Sequence, residues 1–185
     1  VPRIVAGQFG GRRLVTPAGR DTRPTSERVR EALFAALDAD GALHGARVLD
    51  LFAGTGALGL EAVSRGADSA VLVDDDRRAV AACRANVAAL DVVGQVSVRQ
   101  SAAVPFARRA ARLGDAFDLV LADPPYDLDD DDLTALLAAL AAVVASGGLV
   151  VVERGSRTVA PHWPSQLRAL RKREYGETVL WWAAG

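Results

Sequence analysis

Apolar and polar positions follow two periods along this chain, and the two take turns. From residue 46 onward, short apolar runs bounded by turn residues give way to longer stretches with apolar positions three or four apart. The runs read as strands at 47–52, 69–74, 95–100, 117–122 and 149–153. The stretches between them read as helices at 57–65, 77–90, 104–113 and 130–145. Alternation at this spacing predicts an α/β fold, a parallel sheet with helices on both faces. Ahead of this core, residues 1–22 read as a small β-hairpin or extended arm, with strands at 1–6 and 12–16 about a Gly10-Gly11 turn. Thr25 or Ser26 then caps a helix reaching about Asp38, with Val29, Leu33, Ala36 and Leu37 as its apolar stripe. The organisation expected is a basic arm over 1–25 and one folded domain over 26–185.

In such a sheet, ligands bind outside the carboxyl ends of the strands. Three acids, Asp50, Asp74 and Asp123, fall at those ends. The first strand runs into Phe52, Gly54, Thr55, Gly56 and Gly59, a GxGxxG spacing at the start of a helix. Asp74 lies 20 residues beyond Gly54, where a carboxylate can bond ribose hydroxyls. An adenosine-containing cofactor follows. A dinucleotide would set its pyrophosphate at the helix N-terminus, and Asp50, just before the loop, is a poor neighbour for it. A carboxylate there suits a cation, and S-adenosylmethionine carries an ammonium and a sulfonium.

The fourth strand ends in Asp123-Pro124-Pro125-Tyr126. The prolines fix φ and remove backbone donors, leaving carbonyls free to accept beside a carboxylate and a ring. Such a corner suits a flat base with an exocyclic amino group. X-Pro-Pro-aromatic also closes ordinary loops. Together with Asp50, however, it favours methyl transfer to an amino group over hydride transfer.

These motifs resemble those of class I amino-group methyltransferases. The N-terminal stretch narrows the resemblance. Arg3-Ile4-Val5-Ala6-Gly7-Gln8, Gly11-Arg12-Arg13-Leu14 and the segment from Arg23-Pro24-Thr25 to Phe34 are similar to the bacterial 16S rRNA guanine-N2 methyltransferases of the RsmD type, as is Tyr175-Gly176-Glu177-Thr178. Members of that family are named for guanine 966 of the small-subunit rRNA. The resemblance implies a Rossmann-like, mostly parallel seven-stranded sheet, closed by an antiparallel pair at about 166–174 and 178–182. It implies S-adenosylmethionine as methyl donor and 16S rRNA, within the small ribosomal subunit, as partner. Asp50, Phe52, Gly54, Thr55, Gly56, Asp74, Ser101, Ala102 and Asp123 would then hold the donor, and Asp123, Pro124, Pro125 and Tyr126 would carry the chemistry. Ser101 and Ala102 stand where such enzymes often carry Asp or Asn for the adenine amino group. Ala102 lacks that side chain, so adenine must be met there by backbone or by Ser101.

Charge supports a nucleic-acid partner. The chain is almost neutral at −1, yet residues 1–30 carry +5 and the remainder −6. A basic arm on an acidic body is the footprint of a nucleic-acid contact. Arg3, Arg12, Arg13, Arg20, Arg23, Thr25 and Arg28 are the candidate RNA-binding residues. A second basic run at 168–173 either extends this footprint or guards an edge strand against pairing. The acidic run 127–132 suits a helix N-terminus.

One cysteine, Cys83, excludes an internal disulfide framework and reads as a small core residue. His44 and His162 are isolated, so no metal is expected. No run is long enough to span a membrane, no signal peptide is visible, and a cytoplasmic monomer is expected. The chain opens on Val1 without Met, so native residues are expected to be missing or processed. Three rivals stay open. A DNA adenine-N6 methyltransferase would use the same corner but usually needs a larger recognition domain. An NAD-dependent oxidoreductase rests on the glycines and Asp74 alone. A non-catalytic ribosome-assembly factor would have no need of the Asp-Pro-Pro-Tyr corner.

Overall fold

A computed structural model describes residues 2–17 and 27–185. The candidates Arg20, Arg23 and Thr25 and the expected cap at Thr25 or Ser26 lie outside the described residues. From the first helix the order is α1 (Glu27–Ala39), β1 (Arg47–Leu51), α2 (Ala57–Ser64), β2 (Ser69–Asp74), α3 (Arg77–Ala89), β3 (Val96–Gln100), α4 (Ala103–Arg112), β4 (Phe117–Ala122), α5 (Asp130–Leu140), β5 (Val144–Gly155), β6 (Arg168–Tyr175) and β7 (Thr178–Ala184). The seven strands form one sheet in the order β3-β2-β1-β4-β5-β7-β6. Strands β1 to β5 pair in parallel, and β7 joins β5 and β6 antiparallel.

The period of two along each strand divides the apolar residues between two faces. Val48, Leu72, Leu119, Leu121 and Trp182 pack with α1, α2 and α3. Leu49, Leu51, Val120, Ala122 and Ala183 pack with α4 and α5 on the other side. Asp50 follows Val48 by two and therefore points toward α2. The paired tryptophans split as the period demands: Trp182 is buried, and Trp181 is partly exposed.

One boundary differs from the sequence reading. The helix expected over 130–145 stops at Leu140, and β5 begins at Val144 rather than at residue 149. Periodicity cannot separate a short buried strand from the end of an alanine-rich helix. Pairing decides it here. Val144 partners Phe117, and the register then shifts so that Leu149 partners Leu119. Gly147 and Gly148 sit in that irregularity; a Cβ on Gly148 would lie 2.9–3.1 Å from three backbone oxygens. At the other end of α5 the acidic run does what was expected. Asp129 caps the helix by accepting from the Asp132 N–H at 2.8 Å, an arrangement worth about 1 kcal/mol.

The N-terminal hairpin is present but brief. Among the described residues of the arm only Arg3 and Arg13 form a bridge, supported by Ile4 N–H to Arg12 O at 2.9 Å and Leu14 N–H to Pro2 O at 2.8 Å. Its turn spans residues 6–11 rather than Gly10-Gly11 alone. The segment is docked, since Ile4 and Leu14 are buried in the core beside α1. The basic run 168–173 lies on edge strand β6. There Arg171 pairs with Asp40, and Lys172 with Glu174 at 2.8 Å.

Candidate active site

The carboxyl ends of β3, β2, β1 and β4 stand side by side, and backbone bonds continue between them past the strands. Ser101 N–H reaches Asp74 O at 3.0 Å, Ala53 N–H reaches Val73 O at 3.0 Å, and Asp123 N–H reaches Leu51 O at 3.4 Å. This brings Asp50, the glycine loop, Asp74, Ser101-Ala102 and the Asp123 corner to one edge of the sheet. The loop between β1 and α2 is held from several directions. Gly54 N–H donates to Asp74 Oδ2 at 2.9 Å, Cys83 Sγ donates to Gly54 O at 3.3 Å, and Asn86 Nδ2 donates to Thr55 O at 2.9 Å. Gly54 has φ of 58°, and a Cβ there would meet open space with no protein atom nearer than 4.0 Å. Its backbone is thus open to close approach by a ligand. Phe52, with φ of 60°, adopts the same left-handed conformation without being glycine. Such strain concentrates at functional sites.

Asp50 is almost wholly buried. Its Oδ2 accepts from Gly59 N–H at 2.8 Å, while Oδ1 has no partner. Burial pushes its pKa up to about 7, the bond from Gly59 opposes this, and the charges of Asp123 and Asp74 add to the rise. A buried acceptor without a donor, among like charges, fits a cationic donor group such as an ammonium. It does not fit a pyrophosphate.

Beside the loop lies a cavity of about 210 Å³, walled by Phe52, Val104 and Leu128, with Asp74, Ser101 and Ala102 at its rim. Apolar walls with carboxylates beside them, Asp74 together with Asp75 and Asp132, suit a nucleoside whose ring lies between the walls and whose ribose meets Asp74. Asp74 Oδ1 also accepts from Asp76 N–H at 2.9 Å, which orients the carboxylate. Ser101 Oγ turns to the Ala102 carbonyl at 3.0 Å. Ala102 supplies no side-chain cap to α4, so the Ala103 and Val104 N–H groups of its first turn have no intrahelical partner.

Next to this cavity is the Asp123–Tyr126 corner. Pro124 is buried, and Leu128 N–H closes the turn onto Pro125 O at 3.0 Å. Tyr126 is 55% exposed, its ring beside Gly155, where an added Cβ would come within 3.4 Å of the ring. An exposed ring next to a carboxylate is a stacking platform for a base.

The family model described as conserved hypothetical protein 95 matches residues 2–184. The chain belongs to this family. It is 38% identical to ribosomal RNA small subunit methyltransferase D of Escherichia coli K12 over 165 residues, covering 87% of this chain and 80% of that one. It is 33% identical to the Bacillus subtilis protein YlbH over 178 residues, covering 95% of each. Among solved structures, a Thermus thermophilus protein superposes with a TM-score of 0.83 at 35% identity, covering 98% of both chains. The RsmD-type resemblance and the Rossmann-like fold are thereby borne out.

Outside the strand ends, this family member distributes its candidate RNA residues unevenly. Arg3 is exposed and pairs with Glu27, its Nε 2.7 Å from Oε1. Arg12 donates to Ala89 O at 2.7 Å, at the end of α3. Arg13 and Arg28 are exposed. No group of three or more metal-ligating side chains occurs among the described residues. No helix among them is long and apolar enough to cross a membrane.

Sequence reasoning passed over four polar residues that build the site's surroundings. Glu61 accepts from Val5 and Ala6 N–H at 2.6 and 3.0 Å, and Ser64 accepts from Phe9 N–H at 2.9 Å. Asn86 joins α3 to the arm and the glycine loop. Arg154, buried at the end of β5, donates to Leu128 O at 2.9 Å and so braces the loop that follows the proline corner. The available signal was a polar residue interrupting an apolar stripe, as Glu61 does in Leu60-Glu61-Ala62.

Proposed function

We propose that the protein transfers the methyl group of S-adenosylmethionine to the exocyclic N2 of one guanine of 16S rRNA, the position numbered 966 in this family. The observation that carries this reading is the adjacency of an unpartnered buried carboxylate oxygen on Asp50 to a carboxylate–proline–aromatic corner at the next strand end. The first fits a cationic methyl donor, and the second a planar base bearing an amino group. The name of the Escherichia coli relative supports rRNA as the substrate class. That substrate implies a cytoplasmic enzyme.

When bound, the donor supplies a methyl group already activated on a sulfonium. The chain's own work is to hold and orient. Asp74 takes the ribose hydroxyls, the Gly54–Gly56 backbone allows close approach, and Asp50 faces the cationic end. Backbone at Ala102 and the hydroxyl of Ser101 meet the adenine edge. Asp123 accepts from the guanine amino group and stabilises the positive charge that develops on it, with the Pro124 carbonyl as second acceptor. Tyr126 stacks on the base, a contact worth about 1–3 kcal/mol. The base must leave its stack to reach this corner, at a cost of a few kcal/mol. Positioning can supply up to roughly 7–11 kcal/mol of the barrier reduction. Arg3, Arg12, Arg13 and Arg28 lie on or beside the arm and serve phosphate contacts, together with Arg20, Arg23 and Thr25.

Incubation with radiolabelled S-adenosylmethionine and small subunits, or naked rRNA, lacking the modification tests the reading. Digestion should yield labelled N2-methylguanosine. Labelled N6-methyladenosine would keep the donor and overturn the acceptor, and no label despite donor binding would point to an assembly factor.

A further inference from the structure

Asn86 is buried at 1% exposure on the face of α3 that should hold only apolar side chains. All three of its hydrogen-bonding directions in use lead out of its own helix. Oδ1 accepts from Val15 N–H at 2.7 Å, and Nδ2 donates to Val15 O at 3.0 Å and to Thr55 O at 2.9 Å. Only this orientation of the amide pairs every group; the reverse would set donor against donor and oxygen against two carbonyls. Val15 itself is 54% exposed, so side-chain packing does not hold the arm at that point. One amide therefore ties the arm's backbone to the backbone of the glycine loop.

The surroundings reinforce the link. One turn earlier on α3, Cys83 holds the neighbouring loop carbonyl of Gly54. On the other side, Glu61 and Ser64 hold the arm to α2, the helix that starts where the loop ends. Displacing the arm at Val15 would leave a buried amide with two of its three partners missing, which the loop carbonyl alone cannot repair.

We infer that Asn86 is a positioning residue coupling the arm to the glycine loop, so that seating the RNA strengthens methyl-donor binding and the reverse. This rests on the reading that the loop takes the donor and the arm takes RNA. By linkage the coupling must act equally in both directions.

S-adenosylhomocysteine is the probe, with calorimetry on the full chain. Asn86→Asp keeps the acceptor toward Val15 and loses both donors. Binding should weaken about tenfold, the scale of one or two buried hydrogen bonds. Val15→Pro removes the arm's N–H to Asn86 and keeps its carbonyl, and should weaken binding about threefold, on the scale of half a hydrogen bond. In the wild type, saturating S-adenosylhomocysteine should tighten binding of unmodified small subunits about fivefold or more, and Asn86→Asp should bring that factor close to one. A folded Val15→Pro protein with wild-type affinity for S-adenosylhomocysteine would overturn the coupling, as would an unchanged factor in Asn86→Asp. Because Val15 is exposed, its variant decides the matter even where Asn86→Asp does not fold. Wild-type protein that binds the probe but no subunits would refute the RNA reading, while the Val15→Pro result would still judge the link between arm and loop.

Discussion

The two ends of the sheet both carry a cavity and both carry charge, but they use charge in opposite ways. At the amino end the cavity is the larger, about 520 Å³, lined by Asp40, His44, Asp118, Gly148 and Arg171 among others. Arg171, Asp40 and Asp118 each have a partner there. Arg171 pairs with Asp40 and lies 4.3 Å over the Trp182 ring, and Asp118 accepts from Arg47 N–H at 2.8 Å. At the carboxyl end the cavity is about 210 Å³, yet Asp50, Asp74 and Asp123 stand at that end of the sheet, and burial, with the charges of the other two adding to it, pushes Asp50 toward neutrality. Volume is therefore a poor guide to the proposed working end of this molecule. Like charges held together against their preference, beside a strained Phe52, are the better one.

The largest break in this contrast should come from Asp123→Ala. Loss of the acceptor for the amino group should lower methyl transfer about 10²–10³-fold, the scale of removing one electrostatic partner of a transition state. Affinity for S-adenosylhomocysteine, read by calorimetry, should stay within about threefold. Near-normal turnover would remove Asp123 from the chemistry.

Asp50→Asn should separate stability from binding. The native carboxyl titrates near 7 against an ordinary 3.8. The folded state thus holds its proton more tightly, and the stability this gives is full below about 4 and lost as pH rises through about 7. Melts of the ligand-free protein should show that decline in the wild type and a flatter profile in Asp50→Asn. Donor binding should run the other way, strengthening through pH 7 in the wild type as the carboxylate ionises to meet a cation. In the variant it should be about tenfold weaker at pH 8 and insensitive to pH. Parallel pH profiles for the two proteins would disprove the assignment.

Asp74→Ala should weaken S-adenosylhomocysteine about tenfold, consistent with loss of charge-assisted bonds to two ribose hydroxyls. Unchanged affinity would free Asp74 of that role. The smallest effect belongs to the opposite end. Arg171→Ala should cost about 1 kcal/mol of stability, from one half-exposed pair and one ring contact, and leave donor affinity and turnover alone. A loss of activity there would erase the distinction between the two ends.

The sheet was largely legible because its strands are short apolar runs with clear punctuation; Ser69–Asp74 and Phe117–Ala122 fall where the pattern puts them. The acids at the strand ends were legible for the same reason, since topology alone brings consecutive parallel strand ends together. What escaped were facts of tertiary partnership. Residues 141–145 read as helix until Val144 finds Phe117. Glu61 and Asn86 went unread because their partners in the arm lie 55 to 71 residues away in the chain. The arm's arginines read as a footprint for nucleic acid, but nothing in them announced that Ile4 and Leu14 dock the arm on the core.

Cys83 gives the molecule a clock. Its thiol is fully covered beneath the glycine loop, bonded to Gly54 O, and burial pushes its pKa well above the ordinary thiol range. A thiol reagent can reach it only in the moments when α3 and the loop part company. With a single cysteine in the chain, the labelling rate of the unaltered protein counts those moments directly, and a ligand that seals the loop should make the clock run slow.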